Sequence, residues 1–263
     1  MTTSETSTIT SKDGTRIEFD RIGTGPAIVI IGAGPTDRTI NTPVAELLAS
    51  NFTVHNYDRR ARGGSGDTRP YGVDREYEDL AAVIHAGGGS ALVYGSSGGA
   101  VLALEAAARG LPITKLGLWE PSFYLADEPV RPPDDYQERL AAAVAAARPG
   151  DAVELFFTLA AGMPLEMVAP MRDLPFWSAM ESTAQALVYD AAQLGDFQPR
   201  ADRLSQVAIP ALVIDGGTVP SMSRAADAIA PMLPKGERRT LAGQPHNVDP
   251  AAIAPVLAAF FTA

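Results

Sequence analysis

The chain has 263 residues, 46% of them hydrophobic, and its formal net charge is -10. This length is enough for one large core, and the negative charge disfavours nucleic acid and anionic membranes as partners. The absence of cysteine excludes disulfides, thiol catalysis and zinc–thiolate sites. The polar first ten residues and the lack of a long apolar run predict a cytoplasmic protein with no membrane partner.

The first strands predict a sheet with an antiparallel edge. Residues 7–10 and 16–20 have strand-like patterns, and Lys12-Asp13-Gly14 between them is a hairpin turn signal. Residues 27–31 are an unbroken apolar run, typical of a strand buried on both faces. Further strands are predicted over 52–57, 91–94, 113–119, 211–215 and 238–241, and helices over 43–50, 73–86, 100–109, 221–232 and 250–261.

A charged, glycine-rich loop follows the strand predicted over 52–57. Its arginines, Arg59, Arg60 and Arg62, lie close to Asp58 in sequence and could indicate an anion site. The pattern favours a structural turn held by aspartate–arginine pairs, because clustered surface charges usually pair with each other or with water.

The stretch 91–109 runs from an apolar, strand-like start to an Ala-rich and Leu-rich helix. Between them lies Gly95-Ser96-Ser97-Gly98-Gly99, a G-x-S-x-G pattern in the strand–turn–helix context of a nucleophile elbow. Such a turn strains its central residue, and glycine neighbours relieve the crowding. The alternative is a glycine-rich turn that only packs or that holds a phosphate, but neither G-x-G-x-x-G nor Gly-Lys-Ser/Thr is present.

Residues 121–203 interrupt the alternation of strands and helices with helix-like segments and large, flexible apolar side chains. Such side chains more often form core than a binding surface. An insertion at this point, however, would cover the carboxyl ends of the strands, where α/β sheets bind ligands. We therefore predict a helical lid with an apolar underside, to which Met163, Met167 and Trp177 would contribute substrate contacts. The helix-like segments lie near 134–147, 152–161, 164–171 and 177–189.

The overall pattern predicts an α/β protein with a mostly parallel, doubly wound sheet. Residues 1–120 and 204–263 are expected to form the core, and 121–203 the lid, inserted after the strand that ends at Trp119.

Four segments, in order along the chain, carry a resemblance to a known family. Ile31-Gly32-Ala33-Gly34-Pro35 lies where that family has a His-Gly-x oxyanion loop, and residues 57–66 resemble its Asp-x-Arg-Gly-x-Gly-x-Ser turn. Residues 95–99 match its elbow, and Gly243-Gln244-Pro245-His246 matches its late histidine loop. Nearly the whole chain thus resembles an α/β hydrolase. The resemblance implies the α/β-hydrolase fold and the activity of a serine hydrolase.

Two features depart from the pattern of this family. Ile31 stands where the oxyanion loop usually has histidine, and residues 216–220, the loop with the commonest acid position, contain no carboxylate. The oxyanion loop and the acid of the triad are therefore expected to be arranged differently here.

The expected chemistry follows from the residue types. A serine hydroxyl needs a base to take its proton, and histidine suits that role near neutral pH. Ser97 is the expected nucleophile, and His246, the only histidine after the elbow, is the expected base. His55 and His85, in a predicted strand and at a predicted helix end, are expected to be structural, because neither position presents a ring at the carboxyl edge of the sheet.

The base in turn needs a carboxylate to orient it. Glu120, directly after the strand predicted over 113–119, is favoured, and some family members, including haloalkane dehalogenases, are similar in placing a glutamate there. Asp215 is the alternative acid. The backbone N–H groups of Gly98 and Ala33 are the expected oxyanion hole, with Gly34 replacing Ala33 if the loop is shifted by one residue.

These assignments predict a hydrolase without cofactor or metal that cleaves an ester, thioester, lactone or amide bond in a small, largely apolar substrate. One alternative is a non-hydrolytic member of the family (an acyltransferase, cyclase or lyase of secondary metabolism), because the same triad can serve an alcohol acceptor. Another is a catalytically silent protein that binds a small ligand. The missing oxyanion-loop histidine and the missing carboxylate in residues 216–220 favour this alternative, but the retained Ser97 and His246 argue against it. The oligomeric state stays open.

Overall fold

The computed structural model describes residues 4–129 and 131–263; the predicted core and lid ranges also include residues 1–3 and 130, which lie outside this description. Eight strands form one sheet in the order β1-β2-β4-β3-β5-β6-β7-β8. The strands are β1 (Ser4–Thr10), β2 (Arg16–Ile22), β3 (Ala27–Ile31), β4 (Thr53–Tyr57), β5 (Ala91–Ser96), β6 (Ile113–Trp119), β7 (Ala211–Gly217) and β8 (Gly236–Gln244).

The sheet is mostly parallel, as predicted. β1 pairs with β2 and β2 with β4 in antiparallel fashion, and all the other pairs are parallel. β5 lies between β3 and β6, so the turn after β5 opens near the middle of the carboxyl edge, where ligands bind in such sheets.

Helices cover both faces of the sheet, which confirms the doubly wound arrangement. Helices α2, α3 and α10 bury their apolar side chains against one face, and α1 and α11 against the other. The helices are α1 (Thr42–Leu48), α2 (Asp74–Ala86), α3 (Gly98–Ala108), α4 (Tyr136–Ala145), α5 (Pro149–Leu155), α6 (Leu165–Val168), α7 (Trp177–Ser182), α8 (Ala184–Leu194), α9 (Ala201–Leu204), α10 (Pro220–Ile229) and α11 (Pro250–Thr262).

Helices α4 to α8 lie between β6 and β7 in sequence and share a separate apolar cluster. A π-helical turn, Phe156–Ala160, extends α5. None of the helices in the described residues is long and apolar enough to cross a membrane.

Some predicted boundaries were wrong. The helix predicted over 177–189 is two helices, because Thr183 lies between them and its hydroxyl donates to the Met180 carbonyl oxygen at 2.9 Å, a bond that competes with the helical pattern. β8 is longer than the predicted 238–241, because its pairing with β7 continues to Gln244 opposite Gly217.

Candidate active site

The turn between β5 and α3 has the geometry expected of an elbow. Ser97 has φ 55° and ψ -127°, a backbone conformation that residues other than glycine rarely adopt. Its N–H donates to the Trp119 carbonyl oxygen at 2.8 Å. A Cβ on Gly95 would lie 2.5 Å from the Gly99 carbonyl oxygen, and one on Gly99 would overlap the Ile31 carbonyl oxygen. The two glycines are therefore needed for the close approach of backbone around Ser97.

Glu120 and His246 are in direct contact. The Glu120 carboxylate is fully buried, and its Oε2 lies 2.6 Å from His246 Nδ1. Its Oε1 accepts a hydrogen bond from the Gly216 N–H at 3.0 Å, so the loop after β7 fixes its orientation. The Trp119 indole N–H also donates to the His246 carbonyl oxygen at 2.8 Å. The ring of His246 therefore has a defined partner at Nδ1 and leaves Nε2 for the cavity.

Asp215 is engaged elsewhere. Its carboxylate accepts hydrogen bonds from the Ser223 hydroxyl, from Arg238 Nη1 at 2.8 Å and from the Gly217 N–H at 3.2 Å. Burial alone would raise the pKa of Asp215, but the hydrogen bonds from Arg238 and Ser223 outweigh it and hold the pKa below its usual value. The geometry thus pairs His246 with Glu120 and gives Asp215 a role in joining β7, β8 and α10.

Ser122 is a neighbour of Ser97 that the sequence analysis missed. The two hydroxyl oxygens are 2.8 Å apart, and either can be the donor. The hydroxyl of Ser97 thus contacts Ser122 rather than His246, although both Ser97 and His246 line the same cavity. Hydrogen bonds between catalytic groups can tighten only when substrate binds. The one sequence signal for Ser122 is its position two residues after Glu120.

The backbone around the expected oxyanion hole distinguishes Ala33 from Gly34. A Cβ on Gly98 would lie 3.3 Å from the Ala33 Cβ, so these two residues are neighbours. The N–H of Gly98 opens helix α3 and has no partner within that helix. The N–H of Gly34 instead donates to Asp190 Oδ2 at 3.0 Å. This bond leaves Ala33 as the better candidate beside Gly98.

Asp190, from α8, connects the helical insertion to the loop after β4. Its carboxylate accepts hydrogen bonds from Arg59 Nη1 and Arg62 Nη2, both at 2.7 Å. Burial would raise the pKa of Asp190, but the charges of Arg62 and Arg59 outweigh it and lower the pKa. Arg59 also pairs with Glu76 at 3.0 Å. Sequence reasoning missed Asp190, because no local pattern reports a contact across more than one hundred residues.

The predicted aspartate–arginine pairs of the arginine loop are present, but the aspartates come from other elements. Asp58 pairs with Arg38 rather than with the loop arginines. Arg60 pairs with Asp79 at 2.7 Å and with Asp13 at 3.1 Å. All three loop arginines are buried, none being more than 4% exposed, so each needs a carboxylate from a distant element rather than from its own loop.

A cavity of about 610 Å³ lies between the sheet edge and the helical insertion. The core contributes Ser97, Gly98, Ala33 and His246 to its wall. Most of the remaining wall is apolar and comes from the insertion, including Phe156, Phe157, Met163, Leu187, Leu194 and Phe197. Its size and its few polar groups are those of a small-molecule site.

Two of the predicted contacts from the insertion were wrong. Met163 lines the cavity, but Met167 and Trp177 do not. Met167 is 58% exposed on the outer surface of the insertion. Trp177 is buried inside the insertion, where it stacks on Phe157. Among the described residues, no group of three or more His, Asp or Glu side chains is arranged to hold a metal ion.

The family follows from a comparison of the whole sequence. The model of the α/β hydrolase family matches residues 28–256, which is most of the chain. The chain therefore belongs to the α/β hydrolase family.

Solved structures agree with this membership. The chain is 49% identical to an α/β hydrolase from Sphaerobacter thermophilus, over 97% of this chain and all of that one, with a TM-score of 0.92. It is 22% identical to a thermophilic esterase from Thermogutta terrifontis, over 98% of this chain and 97% of that one, with a TM-score of 0.73. An enol-lactonase from Burkholderia xenovorans is 20% identical, over 98% of this chain and all of that one, also with a TM-score of 0.73. These structural neighbours are hydrolases, and the last two are similar in fold alone.

Proposed function

We propose that this protein is a serine hydrolase that cleaves an ester, thioester, lactone or amide bond in a small, largely apolar substrate. The observation that carries the proposal is the 2.6 Å contact between Glu120 Oε2 and His246 Nδ1, in the wall of the cavity that the strained Ser97 also lines. A protein that only binds a ligand has no need of a buried carboxylate that orients a histidine. The esterase and the lactonase among the structural neighbours favour an ester or lactone bond.

Acylation is the first half of the proposed reaction. The Ser97 hydroxyl turns from Ser122 toward His246, and its oxygen attacks the carbonyl carbon while its proton passes to His246 Nε2. Glu120 keeps the proton on Nδ1 and stabilises the charged ring. The N–H groups of Gly98 and Ala33 hold the negative charge on the carbonyl oxygen. His246 then gives the proton to the leaving group as its bond to the acyl carbon breaks.

Deacylation repeats these steps with water. A water molecule attacks the acyl-Ser97 carbonyl carbon and gives a proton to His246. The bond to the Ser97 oxygen breaks, that oxygen recovers the proton, and the acid leaves. In this scheme residues 121–203 act as a lid that keeps the apolar part of the substrate away from bulk water.

The direct test is hydrolysis of p-nitrophenyl butyrate by wild type and by Ser97→Ala. We expect kcat/KM to fall by about a thousandfold or more, because the variant lacks the hydroxyl that attacks the carbonyl carbon in the proposed reaction, with an unchanged circular dichroism spectrum. Turnover near the wild-type rate by the alanine variant would contradict the proposal.

Adding competing alcohols and analysing the products separates hydrolysis from acyl transfer.

A further inference from the structure

The charges around the cavity carry an inference about which substrates it accepts. Among the described residues that line it, none is a lysine or an arginine. Two carboxylates, Glu128 and Asp190, form part of the wall instead, and their side chains are only 7% and 10% exposed. A substrate carboxylate that entered would meet two carboxylates and no lysine or arginine in the described wall.

The cations that balance these carboxylates lie behind the wall. Arg59 and Arg62 pair with Asp190, and their side chains are 1% and 3% exposed. The nitrogens that these arginines do not use for Asp190 or Glu76 are buried and have no hydrogen-bond partner in the described part of the chain. Asp190 therefore stands between both arginines and the cavity.

Among the described residues, Glu128 pairs with one cation, Arg224, and Arg224 is shared with Asp127. Arg224 Nε lies 3.0 Å from Glu128, while Arg224 Nη2 lies 2.7 Å from Asp127. The Arg224 side chain is 45% exposed and is not among the residues that line the cavity. This cluster has one positive and two negative groups, whereas the cluster around Asp190 is balanced by two arginines and two carboxylates. Glu120 adds a further negative charge when His246 is neutral.

We propose that the cavity accepts uncharged acyl substrates and discriminates against substrates that carry a carboxylate, with Glu128 as the residue that sets this discrimination. Burying an unpaired carboxylate is costly, and nearby like charges add to that cost. An apolar chain end, in contrast, finds Phe156, Phe157 and Leu187 in the wall. This inference rests on the proposed function, because it concerns the substrate of the same site.

Two matched ester pairs test the discrimination. The first pair is p-nitrophenyl hexanoate and the mono-p-nitrophenyl ester of adipic acid, which differ at the acyl chain end. The second pair is methyl 4-acetoxybenzoate and 4-acetoxybenzoate, which differ on the alcohol side. We expect kcat/KM of wild type at pH 7 to favour the uncharged member at least tenfold in at least one pair. A preference below tenfold in both pairs would overturn the proposal.

Glu128→Gln provides the second arm, with Asp227→Asn as its control. Each change removes one negative charge, but Asp227 is 70% exposed, pairs with Arg238 and does not line the cavity. We expect Glu128→Gln to reduce the preference ratio at least threefold and Asp227→Asn to leave it unchanged. Equal preference ratios in the two variants would show that Glu128 does not set the discrimination, which would contradict the proposal.

A failure of the proposed function gives a different result. In that case neither member of a pair is hydrolysed faster than by Ser97→Ala. Calorimetric binding of the same esters to Ser97→Ala then tests the discrimination without turnover. Tighter binding of the uncharged member, by tenfold or more, supports it, and a smaller difference contradicts it.

Discussion

Glu120 directly follows β6 and Asp215 lies near the end of the neighbouring parallel strand β7, yet their surroundings give them different tasks. Glu120 has φ 42°, so the chain turns sharply after β6 and directs the carboxylate beneath His246. Both carboxylate oxygens of Asp215 already accept hydrogen bonds, from Ser223, Arg238 and Gly217. These partners hold the Asp215 carboxylate, whereas His246 pairs with Glu120.

The two acids therefore predict opposite outcomes when each is converted to its amide. Glu120→Gln is expected to lower kcat for p-nitrophenyl butyrate by about a hundredfold or more, because an amide neither stabilises the charged ring nor fixes its tautomer. Asp215→Asn is expected to lower the free energy of unfolding by about 3 kcal/mol through loss of its pair with Arg238, with kcat nearly unchanged. A large loss of kcat in Asp215→Asn, with little loss in Glu120→Gln, would show that Asp215 is the acid that orients His246.

At the scale of elements, α8 and the loop after β3 are joined by one carboxylate. Asp190 holds the Gly34 N–H at 3.0 Å and both Arg59 and Arg62 at 2.7 Å. The insertion is thus connected to the loop that carries Ala33, and α8 does more than cover the cavity.

Asp190→Ala is expected to lower kcat at least tenfold, because the loop that positions the Ala33 N–H loses its anchor. It should also cost about 3–5 kcal/mol of stability by leaving two buried arginines short of a partner. Asp79→Ala is the matched control, since it breaks the buried pair with Arg60 without touching that loop. Equal kcat losses in the two variants, measured where both are folded, would show that Asp190 matters only for stability.

At the scale of the whole molecule, buried ion pairs tie the sheet edge to the helices and make stability depend on pH. Burial would raise the pKa of Asp13, but hydrogen bonds from Thr15 and the charge of Arg60 lower it to about 2. Because the folded-state pKa lies below the usual 3.8, the ionised carboxylate stabilises the fold above pH 4 and loses this effect as the pH falls toward 2.

Urea unfolding of wild type and Asp13→Asn at pH 5 and pH 3 measures this contribution. The stability advantage of wild type over the variant should shrink by about 1 kcal/mol between these pH values. An advantage that does not change with pH would mean that the carboxylate of Asp13 titrates normally.

Local patterns in the sequence sufficed for the strands, for the strained turn at Ser97 and for the position of Glu120 directly after β6, because each depends on a few adjacent residues. The contacts of Asp190 were beyond such reasoning, since they join residues that come together only once the insertion folds over the sheet. The contact of Ser122 with Ser97 depends on the pairing of β5 with β6, which places Ser96 opposite Trp119. The predicted substrate contacts of Met167 and Trp177 were wrong for a related reason. The helical spacing of these residues indicates an apolar segment. It does not show whether a given side chain faces the cavity, the core of the insertion or solvent.

The most direct test of an activated Ser97 is intact-mass analysis after incubation with a fluorophosphonate probe. Wild type should gain the mass of a single adduct, and Ser97→Ala should gain none while remaining folded. Absence of an adduct on folded wild type, or equal labelling of the alanine variant, would contradict the central claim.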